Sequence, residues 1–404
     1  MPPSAEEQTA ALGHWADQQL REVILPFWVS YAERSRSVGR LLTLDGSGQP
    51  AQQSLPQSAV LASRLLWTFS VASRRQGSEY RPLADWAYGQ LQKFVDPLYG
   101  GVFFTLDQEN APLDLRKHSY AQAFAIYGLS EYAKLGHARA QEQAKAIFQL
   151  LEQAHDPGGL GYREASNREW SEAEDSRLSS KEPPSEKSLN TLLHLLEAFT
   201  NLLETWPDPL LRARLTELTS LATTQLFDSD RGHFWPFFDR QLRPQSQTVS
   251  FGHDIEAGWL ILRAAELLGF PELDQRARAV LRRVAEATLA GIDQSGGLCY
   301  EQDGQERSAD KHWWVQAEAL VGFLAAYQET GTAVFWDSLH GVLRFTDLHV
   351  VDRIGGDWHR ILSPSGVPYQ GVKVGPWECP YHQSRACWEV LDRSSALGLE
   401  AAHV

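Results

Sequence analysis

The stretch "DPLYGGVFFTLD" (Asp96–Asp107) runs from an acidic residue through a turn with paired glycines into a short aromatic alternation. Such a string reads as a small hairpin. It returns as "DPGGLGYREA" (Asp156–Ala165), "DSDRGHFWPFFD" (Asp228–Asp239), "DQSGGLCYEQDG" (Asp293–Gly304) and "DRIGGDWHRILSPSG" (Asp352–Gly366). A weaker sixth copy, "SVGRLLTLDGSG", begins at Ser37. The copies stand roughly 60 residues apart, a spacing that marks repeat architecture.

Between copies the period becomes helical. "SYAQAFAIYGLSEYAKLG" places Ala121, Phe124, Ala125 and Leu129 on one stripe, and "TLLHLLEAFTNLLETW" and "AEALVGFLAAYQETG" behave likewise. Gly136, Gly269 and Gly331 stand where helix C-caps are expected. Two helices per unit and six units predict an all-α fold, an (α/α)6 barrel of about twelve helices with short β-hairpins in its loops. An open solenoid is the competing arrangement, but the chain shows no polar capping repeats. The expected organisation is a single domain over residues 1–404.

The chain has 404 residues, 43% hydrophobic and 22% charged, with a net charge of −14. That balance fits a soluble protein and disfavours nucleic acid and anionic membranes as partners. No apolar run is long enough to span a bilayer. The opening "MPPSAEEQTAALGHW" is polar and does not read as a signal peptide. Three cysteines, Cys299, Cys379 and Cys387, lack metal-like spacing and suit a reducing compartment. A cytoplasmic location follows as the expectation. Tryptophan is unusually abundant at 14; most of these rings are expected in the core or between helices, and a minority are candidate platforms for sugar rings.

Three of the 13 histidines sit at the start or on the inner face of apolar helices: His194 in "NTLLHLLEAF", His253 in "SFGHDIEAGWLIL" and His382 in "PYHQSRACWEV". Glu197 and Glu256 follow the first two by three residues, on the same helical face. Asn190 precedes His194 by four and shares its face. A lone histidine of this kind is often a hydrogen-bonded core residue. Three on different repeats point to one converging pit. The two His-x-x-Glu pairs are conceivable metal ligands, yet di-metal bundles use the reverse order, Glu-x-x-His. Acid–base catalysis is the other reading, because imidazole exchanges protons near neutral pH and a carboxylate can orient it. Arg64, a lone cation in "SRLLWTFSVA", reads either as a paired structural arginine or as a pit residue. Tyr120 is a further candidate. Of the neighbours Trp313 and Trp314, at most one can face the pit.

The motifs "SRLLWTFS", "RKHSYAQAFAIYGLSEY", "SLNTLLHLLEAF", "VSFGHDIEAGWL", "KHWWVQAEALVGFLAAYQE" and "WECPYHQSRA", in this order, resemble the N-acylglucosamine 2-epimerase superfamily, and within it the cellobiose 2-epimerases. The resemblance runs from Arg64 to Trp388. It implies an (α/α)6 barrel and a reaction without cofactor or metal. In that reaction a sugar ring opens, C2 loses its proton, and the proton returns to the other face through an enediolate. Carried over, His253 and His382 would be the acid–base pair, and His194 would assist ring opening or hold O1 and O2. Arg64, Tyr120, Asn190 and Glu256 would bind the open-chain sugar, while Trp377 and one of Trp313 and Trp314 would stack on it. The implied partner is a small sugar, and the implied assembly a monomer or homodimer. Ala62, Leu192, Gln383 and Glu378 depart from the pattern expected of cellobiose epimerases. A mannose 2-epimerase or mannose isomerase is therefore the second expectation. An (α/α)6 glycoside hydrolase is a third, although Asp254 and Glu256 on one helix are not a pair across a bond. A non-enzymatic binding toroid is a fourth, but it has no need of three inward histidines.

Overall fold

The computed structural model describes residues 5–401, apart from 159, 179–181 and 184. Helices alternate between an outer and an inner layer. The outer layer begins with α1 (Ala5–Gln18) and α2 (Leu25–Val38), joined by a π-helical segment, Gln19–Ile24. It continues with α4 (Arg81–Gln92), α6 (Ala138–Leu151), α8 (Pro209–Thr224), α10 (Pro271–Thr288) and α12 (Ala333–Phe345). The inner layer is α3 (Ala59–Arg75), α5 (Ser119–Ala133), α7 (Leu189–Leu203), α9 (Phe251–Leu268), α11 (Trp313–Thr330) and α13 (Tyr381–Ala401). Each inner helix packs on the next, and α13 returns to pack on α3 and α1. The ring is closed, and the fold is an (α/α)6 barrel.

Inner helices are buried almost all round, not along one stripe. In α5 every residue from Ser119 to Tyr132 is buried. Close approach needs small residues. A Cβ at Gly128 of α5 would lie 2.6 Å from the Ser63 carbonyl oxygen of α3. Of the expected C-caps, Gly269 (φ 70°) and Gly331 (φ 64°) close α9 and α11 in the left-handed region. Gly136 (φ 93°) lies three residues beyond the end of α5.

The repeated loops are more than hairpins. Antiparallel bridges close the acidic turn at Val95–Val102, His155–Tyr162, Ile292–Leu298 and Val351–Trp358. A two-residue ladder, Phe227–Asp228 with His233–Phe234, does so in the Asp228 copy. The two residues before most inner helices, however, pair with the following repeat. Lys117–His118 meets Ala165–Ser166, Lys187–Ser188 meets Phe237–Phe238, and Lys311–His312 meets Ile361–Leu362. Leu44–Asp45 pairs with Val372–Val374, joining first repeat to last.

The recurring acid has a physical role. Its Oδ1 caps its own turn, as Asp96 does for the Leu98 and Tyr99 amides. In four loops the other oxygen meets a buried lysine: Asp96–Lys117 (2.9 Å), Asp156–Lys187 (2.7 Å), Asp293–Lys311 (2.6 Å) and Asp352–Lys373. Removing one partner of such a buried pair costs about 3–5 kcal/mol, so these loops are firmly held. They form the rim at the N-terminal ends of the inner helices, where the site lies. No helix among the described residues is long and apolar enough to cross a membrane.

Candidate active site

His194, His253 and His382 project from α7, α9 and α13. Each ring is anchored at Nδ1. His194 Nδ1 lies 3.0 Å from Glu197 Oε2, His382 Nδ1 lies 2.7 Å from Glu318 Oε1, and His253 Nδ1 lies 2.8 Å from Ser250 Oγ. Among the described residues no protein group meets the three Nε2 atoms. A carboxylate only accepts, so in His194 and His382 a proton sits on Nδ1, and in the neutral ring Nε2 carries the free lone pair. The rings are close enough to sense one another. Burial first, then the neighbouring His194, holds His253 down to about 3. Burial first, then Arg64, Arg385, His194 and His253, holds His382 well below the ordinary imidazole value. Both are neutral bases at rest.

Trp314 joins two of the rings. Its indole stands 4.7 Å from the His253 ring and 5.6 Å from the His382 ring, centroid to centroid. Gly252 makes this possible, since a Cβ there would lie 2.5 Å from the Trp314 ring. Trp313 turns into the wall, where Nε1 donates to Gln383 (3.1 Å) and Arg360 packs on its face. The pit-facing tryptophan of the pair is therefore Trp314. Trp377 is half-buried, 5.9 Å from the Tyr120 ring. Tyr120 in turn meets His194 edge-on at 5.2 Å.

Arg64 has no carboxylate within ion-pairing distance among the described residues, so it is not the paired structural arginine of one sequence reading. Its Nη2 donates to the Tyr120 hydroxyl (2.8 Å), and its guanidinium lies 4.1 Å from the Phe124 ring and 4.6 Å from the Tyr381 ring. A cation held by aromatic faces beside the bases can meet a developing oxyanion. Asn190 Oδ1 is buried one turn before His194 without a partner.

Glu256 does not orient His253. Its Oε1 accepts from Arg385 Nη2 at 2.6 Å and lies 3.9 Å from His382 Nδ1, while its Oε2 is buried and unpartnered. Burial, then the neighbouring Glu318, pushes its carboxyl up to about 7. Glu197 behaves oppositely. Burial opposes its charge, but Arg385, His194 and Tyr381 outweigh it and hold the carboxyl at about 2. Sequence reasoning missed Glu318, Arg385 and Tyr381. Arg385 and Tyr381 lie within "PYHQSRA", and an Arg three residues after a site histidine, on the same helical face, was the available signal.

Glu256, Glu318 and His382 are the potential metal donors that cluster among the described residues. They are not the two His-x-x-Glu pairs. Arg385 Nη2 already donates to both carboxylates, at 2.6 and 2.7 Å, so a cation would have to displace a guanidinium. The donor set does not fit a divalent ion. Nor does Asp254 join Glu256 in the pit: its carboxylate takes His233 Nδ1 at 2.7 Å and the Phe234 amide at 2.8 Å. The departures Ala62, Leu192 and Gln383 are all buried in the wall, and Glu378 lines a groove with Arg360 and Tyr369.

The sequence matches the model of the N-acylglucosamine 2-epimerase (GlcNAc 2-epimerase) family over residues 39–386. It is 36% identical to a cellobiose 2-epimerase of Bacteroides fragilis, across 93% of this chain and 97% of that one. It is 34% identical to a cellobiose 2-epimerase of Dictyoglomus turgidum, with the same coverages, 93% and 97%. The solved cellobiose 2-epimerase of Bacillus thermoamylovorans superposes with a TM-score of 0.88 at 31% identity, over 95% of this chain and 100% of that one. Closed barrel, shared motifs and near-complete coverage agree: the chain belongs to the N-acylglucosamine 2-epimerase family.

Proposed function

We propose that this protein is a sugar 2-epimerase of the cellobiose type, an isomerase that interconverts glucose and mannose configurations at the reducing end of a β-1,4-linked disaccharide. The observation that carries the reading is the pair His253 and His382, two neutral imidazoles on different helices, both against Trp314. Inverting C2 needs a base on one face and an acid on the other. One ring takes the C2 proton, and the other returns a proton, drawn from solvent, to the opposite face. As the enediolate forms, its negative charge raises the proton affinity of both rings and offsets their depression. Arg64 meets the enediolate oxygen. His194, anchored by Glu197, moves the proton that opens the ring. Tyr120, Asn190 and Glu256 hold hydroxyls, and Trp377 and Trp314 supply faces for sugar rings.

The enzyme works in the cytoplasm as a monomer or homodimer, as one catalytic domain; three free, buried cysteines support the reducing compartment. Incubation with cellobiose, lactose, mannose, glucose and fructose, with products separated by chromatography, tests the reading. Conversion of cellobiose to its mannose-ended epimer is expected. Turnover of free mannose alone would favour a mannose 2-epimerase or isomerase, and released monosaccharides a hydrolase.

A further inference from the structure

We propose that Arg385 is the positioning residue of the acid–base site, a single guanidinium that fixes the carboxylates orienting His194 and His382. It lies on α13 one turn after His382 and is fully buried. Nη1 donates to Glu197 on α7 and to the Tyr381 hydroxyl. Nη2 donates to Glu256 on α9 (2.6 Å) and Glu318 on α11 (2.7 Å). The guanidinium plane packs 4.7 Å from the Trp259 ring and 4.3 Å from the Tyr381 ring. Two of its three carboxylates are the Nδ1 partners of site histidines.

The arrangement has one electrostatic logic. Three carboxylates in a dry space repel one another, and at least one would take a proton without a shared cation. A protonated Glu197 or Glu318 would hold its histidine less strictly, and Nε2 would cease to be the obligate base. Only a planar fork with five donors can serve all three acids at once; a lysine ammonium is a point charge on a flexible stem. Four inner helices thus contribute to one hub, so the protonation state of the histidines is set by closure of the barrel.

The test has two arms, and only the kinetic arm rests on the epimerase reading. In 15N-histidine-labelled resting enzyme, two rings are expected as Nδ1–H tautomers bonded to carboxylate, assigned with His194→Asn and His382→Asn. Arg385→Met should mix the tautomers of both. On cellobiose, kcat should fall about 10–100-fold, the usual cost of losing an outer partner of a site histidine. KM should stay within about threefold, because no substrate contact is lost. The acidic limb of kcat should move to higher pH. The groups facing the lost cation are Glu197, Glu256, Glu318, Tyr381, His194 and His382, with His253, Arg64, Tyr120 and Tyr127 around them, and removing a positive charge raises the proton affinity of them all. Arg385→Met with Glu318→Gln should cost little more than the worse single change. Unchanged tautomers with an unmoved acidic limb, or additive losses, would overturn the assignment. Should Arg385→Met fail to fold, Arg385→Lys carries the tautomer test, with mixing expected and unchanged tautomers contradicting it. Tautomers that respond in a protein that turns over no sugar would leave Arg385 in place and remove the epimerase reading.

Discussion

His253 Nδ1 lies 2.8 Å from the Ser250 hydroxyl, whereas His382 Nδ1 faces the Glu318 carboxylate. The two proposed bases therefore differ in kind, one held by a neutral partner and one by a charge. Charge-assisted hydrogen bonds are roughly twice as strong as neutral ones. Glu318→Gln is expected to lower kcat about 10–100-fold. Ser250→Ala is expected to cost less than about tenfold, the loss of one neutral hydrogen bond. Steady-state kinetics on cellobiose compares them, and an equal loss in both would show the rings to be equivalent.

Trp377 lies half-buried against Phe104 and Tyr120, apart from the Trp314 contacts with His253 and His382. A second sugar ring needs a flat apolar face outside the reacting centre, and aromatic stacking of this general kind is worth about 1–3 kcal/mol. Trp377→Ala should weaken turnover of cellobiose more than that of mannose. Equal losses in kcat/KM for the two sugars would remove Trp377 as the platform for the second ring.

The guanidinium of Arg385 occupies the space between Glu256 and Glu318. Exhaustive chelation followed by gel filtration should therefore leave activity unchanged. Loss on chelation with restoration by one divalent ion would show that a metal competes successfully for those carboxylates.

Sequence alone revealed the repeats because each loop must carry its own turn chemistry, locally encoded. It also revealed His194–Glu197, since three residues along one helix fix that contact. The expectation that Glu256 orients His253 failed for a tertiary reason. His253 and Glu256 do share α9, but Arg385 arrives from α13 and takes the carboxylate. Glu318 was illegible for the same reason, its histidine being 64 residues away on another helix. Adjacent helical positions pointing apart limited Trp313 and Trp314 to one pit residue. Which one faced inward depended on Gln383 capturing the Trp313 indole.

His253 links the site to stability. Folded, it takes up a proton only near pH 3; unfolded, near 6.5. Between those values the unfolded chain binds more protons, so stability is lost as pH falls below 6.5. The effect of this one group is no more than about 2 kcal/mol at pH 5. His253→Asn should consequently show a smaller drop in melting temperature between pH 7 and pH 5 than the unaltered protein. Parallel melting curves against pH would contradict a half-buried His253 held neutral in the fold.

The hydrogen at C2 tests the proposed chemistry most directly. With cellobiose in deuterium oxide, proton removal by one histidine and return by the other place solvent deuterium at C2 of the mannose-ended product. His253→Asn and His382→Asn should each lower epimerisation by the roughly 10²–10⁴-fold usual for a lost general acid or base. Either variant is expected to retain exchange at C2 of the one epimer its remaining ring faces. NMR of the C2 position reads both outcomes: deuterium in the epimer supports the two-histidine account, and full retention of the original hydrogen contradicts it.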